Sequence, residues 1–178
     1  KDGTHVSLFL TDGRVGSIVG TDTIRNGTFF FKRNVGESGM DQLSLMCRDT
    51  DFPPMSLDIY ATPGAKIKVT GTNPLIYTWR VDSPVKEQQE HNRFIEDSRD
   101  LWDEFQRLAI KERSMRSASE AERKALRTKS DSISSIINQR ELKLMKELPI
   151  SNVWMEKLLR LSMSLKYNSR FTNKEEIL

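Results

Sequence analysis

The sequence has little of what chemistry at a protein site usually requires. Its 178 residues include one cysteine, Cys47, and two histidines, His5 and His91. A single thiol excludes an internal disulfide, a CxxC redox pair and a cysteine-based zinc site. With the two histidines far apart in sequence, a zinc site would rest on carboxylates alone. Glu90-His91 does not open an HExxH motif either, because Phe94 stands where the second ligand is needed. Asp49, Asp51 and Asp58 lack EF-hand spacing, with Pro53 and Pro54 between them, and read as a turn-forming acidic loop. No Gly-x-Ser-x-Gly elbow occurs. Gly13-x-x-Gly16 and Gly36-x-x-Gly39 lack the strand-to-helix context of a phosphate cradle. We therefore expect no catalytic, cofactor-binding or metal-binding residue. No run of about 18 apolar residues offers a membrane span.

What is present is a folded, rather polar chain, with 37% hydrophobic and 30% charged residues. The net charge of +3 arises after residue 82, since residues 1–82 carry nine basic and nine acidic side chains. The densest basic run is Lys111, Arg113, Arg116, Arg123, Lys124, Arg127 and Lys129, broken by Glu112, Glu120 and Glu122. No aromatics are interleaved with it, so it reads as a solvated helix corner and no nucleic-acid partner is expected.

The hydrophobic period switches at Ser83-Pro84. Before it, apolar residues alternate, as in Gln42–Cys47 and Lys66–Thr70, which is the pattern of half-buried strands. Cys47 shares the inward face of Leu43 and Leu45, which predicts a buried thiol. Asp12-Gly13 and Asn26-Gly27 are hairpin signals, and Pro63-Gly64 reads as a type II turn. The expected strands are 6–10, 15–24, 28–33, 42–47, 56–60, 66–70 and 75–81. Seven short strands predict an antiparallel β-sandwich or small barrel over residues 1–82, with a further strand expected upstream.

After the switch, apolar positions recur every three or four residues. Ser83-Pro84 predicts the start of a helix running to about Met115. Its inward stripe is Gln88, His91 or Asn92, Ile95, Ser98, Leu101, Trp102, Phe105, Leu108 and Ala109. Trp102, Phe105 and Phe94 read as core rather than as a recognition surface. The Ser119-x-x-Glu122 capping box opens a second helix to Leu148, with Leu126, Ile133, Ile136, Ile137, Leu144, Met145 and Leu148 inward. Ser151 opens a third to about Tyr167, carrying Trp154, Met155, Leu158, Leu159, Leu161 and Leu165. A last capping box, Thr172-x-x-Glu175, announces a fourth helix. Together with Lys1 at the first position, it leads us to expect a longer gene product. The predicted class is α+β: a β unit over 1–82, then an all-α segment over 83–178.

Four motifs occur in order: Asp2-Gly3-Thr4-x-Val6-x-Leu8, Asp22-Thr23-x-x-Asn26-Gly27-x-Phe29-x-Phe31, Pro63-Gly64-x-x-Ile67-x-Val69-x-Gly71, and Ser83-Pro84-Val85-x-x-Gln88-x-x-x-Asn92-x-Phe94. This order resembles the N-terminal domain of unknown function that precedes the thioredoxin-like domain in ResA-like and TlpA-like thiol–disulfide oxidoreductases of Gram-negative anaerobes. The similarity is good over 2–82 and looser over 83–165. Leu148-Pro149-x-Ser151 with Leu158-Leu159 is similar to the stretch leading toward the thioredoxin module. The resemblance implies a periplasmic or outer-membrane-associated protein, with a lipid anchor upstream. It also implies protein partners: a thioredoxin-like domain, a redox substrate or a second copy. The family's active CxxC lies in the thioredoxin module, so no redox residue carries over to this chain. The expectation is a non-catalytic accessory module. The alternative is a stand-alone envelope module holding glycan or peptide on Tyr60, Tyr77 and Trp79.

Overall fold

The structure, a computed structural model, describes residues 1–11, 16–115 and 117–167, with side chains along the last helix described as far as Met163. The alternating segments form β1 (His5–Thr11), β2 (Gly16–Thr23), β3 (Asp41–Cys47) and β4 (Leu57–Ala61), an antiparallel sheet in the order β2-β1-β3-β4. β5 (Lys68–Thr70) and β6 (Arg80–Asp82) form a two-stranded antiparallel sheet. Period two sends Leu43, Leu45 and Cys47 of β3, with Leu57 and Ile59 of β4, into one core with Val6 and Leu8 of β1 and Val81 of β6. The class is therefore α+β, and the β part is not a closed barrel.

One of the seven expected strands does not form, and another is a strand only at its end. The Asn26-Gly27 turn forms as expected, with positive φ at both residues (51° and 69°) and both amides held by the Asp2 carboxylate at 3.0 and 2.8 Å. Beyond the single bridge at Thr28, however, residues 28–33 do not join the sheet. Asp22 takes the Phe30 amide at 2.8 Å, while Phe29 and Phe31 turn onto the core. A side chain has replaced the ladder. Residues 75–81 divide into a 3-10 turn, Ile76–Thr78, and β6. The Asp12-Gly13 turn lies outside the described residues, although β1 and β2 pair antiparallel on either side of it.

Trp79 closes the core beside Phe29 (ring centroids 6.4 Å) and Phe52 (6.1 Å), and its indole N–H donates to the Asn73 carbonyl at 2.7 Å. Gly71 lies flat on this ring, and a Cβ there would overlap the indole. Gly71→Ala is expected to displace Trp79 and cost about 1–3 kcal/mol, as overpacking does. Urea unfolding with an unchanged midpoint would contradict this.

The helices are α1 (Lys86–Asp97), α2 (Arg99–Ser114), α3 (Glu120–Glu147) and α4 (Asn152–Tyr167). The expected first helix is thus two, broken at the fully buried Ser98 (φ −129°, ψ 24°). The break lets α1 follow β4 and β6 while α2 follows the 3-10 turn. Ser83 accepts the Val85 amide at 3.2 Å, and Ser119 with Glu122 forms the complete capping box. The Ser151 hydroxyl caps α4 by accepting the Trp154 amide at 3.0 Å. Phe94 is core, as expected; Gln106 also faces inward, outside the expected stripe, whereas Ile136, expected inward, is exposed. The expected helix from Thr172 lies outside the described residues.

Candidate functional site

Two glutamines join the helices to the β part. β4 is an edge strand, and its outward groups face α1. The fully buried Gln88 accepts the Tyr60 amide at 2.8 Å and donates to the Asp58 carbonyl at 3.4 Å, as a neighbouring strand would. Gln106 of α2 likewise accepts the Tyr77 amide at 2.9 Å. Asn92 donates to the Val81 carbonyl at 2.7 Å. Each bond satisfies a main-chain group that burial would otherwise penalise.

On the second face of the large sheet, β3 and β4 carry a polar patch. Register pairs Gln42 with Tyr60 and Ser44 with Asp58, so four polar side chains stand side by side opposite the core. α4 meets this patch with Glu156, whose carboxylate accepts from Gln42 at 2.9 Å and from the Tyr60 hydroxyl at 2.5 Å. One residue on, Lys157 is buried, 5.2 Å from the centre of the Phe94 ring and 3.4 Å from Glu141 of α3. Glu141, itself buried, also pairs with Arg160. α4 is thus held on its inner side by charge as well as by Val153 and Leu161. Burial, reinforced by Glu156, pushes the Asp58 carboxyl up to about 6 despite Lys157, Ser44 and Arg160. Burial also raises the Tyr60 hydroxyl and lowers His91 well below its ordinary value, with Lys157 and Arg160 adding to the latter effect.

The outer side of α4 is apolar too. Met155, Leu159 and Met163, at i, i+4 and i+8, are 52%, 61% and 51% exposed, and Ile150 just before the helix is 74% exposed. Of the apolar residues expected on the third helix, Leu161 faces in, while Met155 and Leu159 face out. A helix apolar on opposite sides is one suited to being covered on both.

The remaining candidates are structural. Cys47 is buried, as expected, and burial pushes its thiol up to about 12, leaving it protonated and unreactive at neutral pH. Tyr60 and Tyr77 are buried, so with Trp79 they form no exposed platform. Trp102 packs on Tyr77 (4.5 Å) and Phe105 (5.7 Å). A cleft of about 260 Å³ between β6 and α1 is lined by Trp79, Arg80, His91, Asn92, Glu96 and Arg99. Neither His91 ring nitrogen is exposed to it, and neither has a hydrogen-bond partner among the described residues. The ring is therefore not placed to exchange a proton with a bound molecule. Asp49 and Gly36 sit in tight turns closed by Phe52 and Gly39, and among the described residues no three His, Cys, Asp or Glu side chains converge to hold a metal ion. In the basic run, Arg127 pairs with Glu112 (3.0 Å) and Lys129 with Glu104 (2.6 Å) across α2 and α3, while Arg116 lies outside the described residues. No described helix is long and apolar enough to cross a membrane.

No family model matches this chain, and no curated protein or solved structure is detectably similar to it.

Proposed function

We propose that this chain is the non-catalytic accessory module of a cell-envelope thiol–disulfide oxidoreductase, and that it seats a thioredoxin-like domain on the outer side of α4. The observation that carries the reading is the outward row Met155, Leu159 and Met163 on a helix whose inner side is already anchored. The motif order from Asp2 to Phe94 supplies the occupant. Three of its members have physical duties here: Asp2 and Asp22 hold main-chain amides, and Gln88 closes the sheet edge. The protonated Cys47 supports a module without redox chemistry of its own.

The chain alone is expected to leave dithiothreitol-driven insulin reduction at the rate seen without protein. A robust dithiol-dependent acceleration would falsify the non-catalytic reading. In the native polypeptide, Leu159→Asp places a charge at the centre of the row. It is expected to weaken seating by about 2 kcal/mol or more, the scale of a central contact residue. Small-angle scattering reads this as a larger radius of gyration, and an unchanged radius speaks against α4 as the seat.

A further inference from the structure

Asn26-Gly27 is the sequence's single Asn-Gly pair, and both residues are exposed in the turn that follows β2. An asparagine followed by glycine is open to attack by its own main chain, because no Cβ hinders the glycine nitrogen. A Cβ at Gly27 would meet no atom within 4 Å, so the space around that residue is clear. What engages the nitrogen is Asp2, 25 positions back in the chain. Its carboxylate accepts the Gly27 N–H at 2.8 Å and the Asn26 N–H at 3.0 Å. The Gly27 and Asn26 amides in turn hold the Asp2 carboxyl below its ordinary value. We propose that Asn26 is a self-modification site, where the chain converts its own asparagine to aspartate or isoaspartate, and that Asp2 restrains the reaction by holding the Gly27 nitrogen.

The reaction needs water alone. The Gly27 nitrogen gives its proton to water or hydroxide and attacks Cγ of Asn26. An N–C bond forms, the C–N bond of the carboxamide breaks, and the side-chain nitrogen leaves as ammonia with a proton from water. Water then opens the cyclic imide at one of its two carbonyls, giving aspartate from one and isoaspartate from the other. Nothing is oxidised or reduced. While Asp2 holds the Gly27 N–H, that nitrogen has no free lone pair to offer, and the adjacent carboxylate disfavours its anion as any like charge would. The charged hydrogen bond must break first, which at an exposed site slows the attack by about threefold or more. The product sets a new carboxylate against Asp2, and isoaspartate adds a carbon to the main chain. Both open the clamp and loosen the strand ends beside it, where Gly3 donates to the Ile24 carbonyl at 2.9 Å and Arg25 and Thr28 exchange bonds at 2.9 and 3.0 Å.

The test ages the chain at neutral pH and maps it by mass. Cleavage after Arg25 and Lys32 leaves Asn26 as the one side-chain amide of its tryptic peptide, so an amide replaced by an acid there is assigned without ambiguity. Digestion in mildly acidic buffer prevents the reaction during work-up. Folded wild type, wild type in guanidinium chloride and folded Asp2→Ala are compared. The folded wild type is expected to react slowest, about threefold or more behind the unfolded chain, and Asp2→Ala to recover most of that difference with circular dichroism unchanged. A folded wild type that reacts as fast as the unfolded chain would overturn the proposal. So would an Asp2→Ala variant as slow as the wild type, or one that loses another amide before that of Asn26. Should Asp2→Ala fail to fold, deuterium exchange at the Gly27 amide of the folded wild type decides. Exchange slower than in the unfolded chain supports the hold by Asp2, and exchange at the unfolded rate refutes it.

Discussion

Replacing Glu141 by alanine is expected to destabilise the fold by about 3–5 kcal/mol, the usual cost of removing one partner from a buried ion pair. Glu141 is 1% exposed and is the shared carboxylate for Lys157 and Arg160. The two cations do not suffer equally. Arg160 is part-exposed and can turn its head group to water, whereas Lys157 is enclosed and would be left charged beneath α4. The Phe94 ring near its ammonium offsets only part of that loss. The double change Glu141→Leu/Lys157→Met removes both charges and is expected to recover most of the stability. Urea unfolding of the single and double variants measures the coupling. A single variant within about 1 kcal/mol of the wild type would show that the pair is solvated.

Asp58→Asn is expected to stabilise the protein by on the order of 2–3 kcal/mol at neutral pH, and to change the slope of stability with pH. The Asp58 carboxyl lies near 6 in the fold against 3.8 ordinarily, so the fold favours its protonated form. That contribution is fully present below about pH 4 and is lost as pH rises through about 6. His91 has the opposite sign. Its folded value is depressed, so the fold favours the neutral ring, and stability is lost as pH falls below 6.5. The groups that face this pair are Ser44 and Tyr60 from the sheet and Glu156, Lys157 and Arg160 from α4. In the wild type the two dependences oppose one another between about pH 4 and 6.5. In the Asp58→Asn variant the histidine acts alone, and stability should climb with pH across that window. The introduced amide can still accept the Ser44 hydroxyl, so the contact at 3.2 Å need not be lost. Parallel thermal unfolding curves for the two proteins at every pH would refute this account.

The elements that could be read from the sequence are those whose partners lie close along the chain. The alternation in β3, the Asn26-Gly27 and Pro63-Gly64 turns and the capping box at Ser119 depend on neighbours or on a single ladder. Residues 28–33 have the composition of a strand, but the carboxylate of Asp22 decides their fate. The break at Ser98 carries no glycine or proline, because it answers to the different paths of α1 and α2 over the sheet edge. The polar face of β3 and β4 was visible as every second residue. Its seat under α4 was not, because Glu156 lies 114 positions from Gln42. The two-sided character of α4 was visible in part: Trp154, Met155, Leu158, Leu159 and Leu161 are too many apolar residues for one narrow stripe. Which of them turn outward depends on Lys157, an apparent surface residue that the fold buries against Glu141.

The most direct test of the central claim is the intact mass of the native polypeptide, with its C-terminal peptides sequenced. The account predicts a chain that continues past Leu178 by the length of a thioredoxin-like domain and contains a CxxC pair. A native product that ends near Leu178, or that continues without paired cysteines, would contradict it.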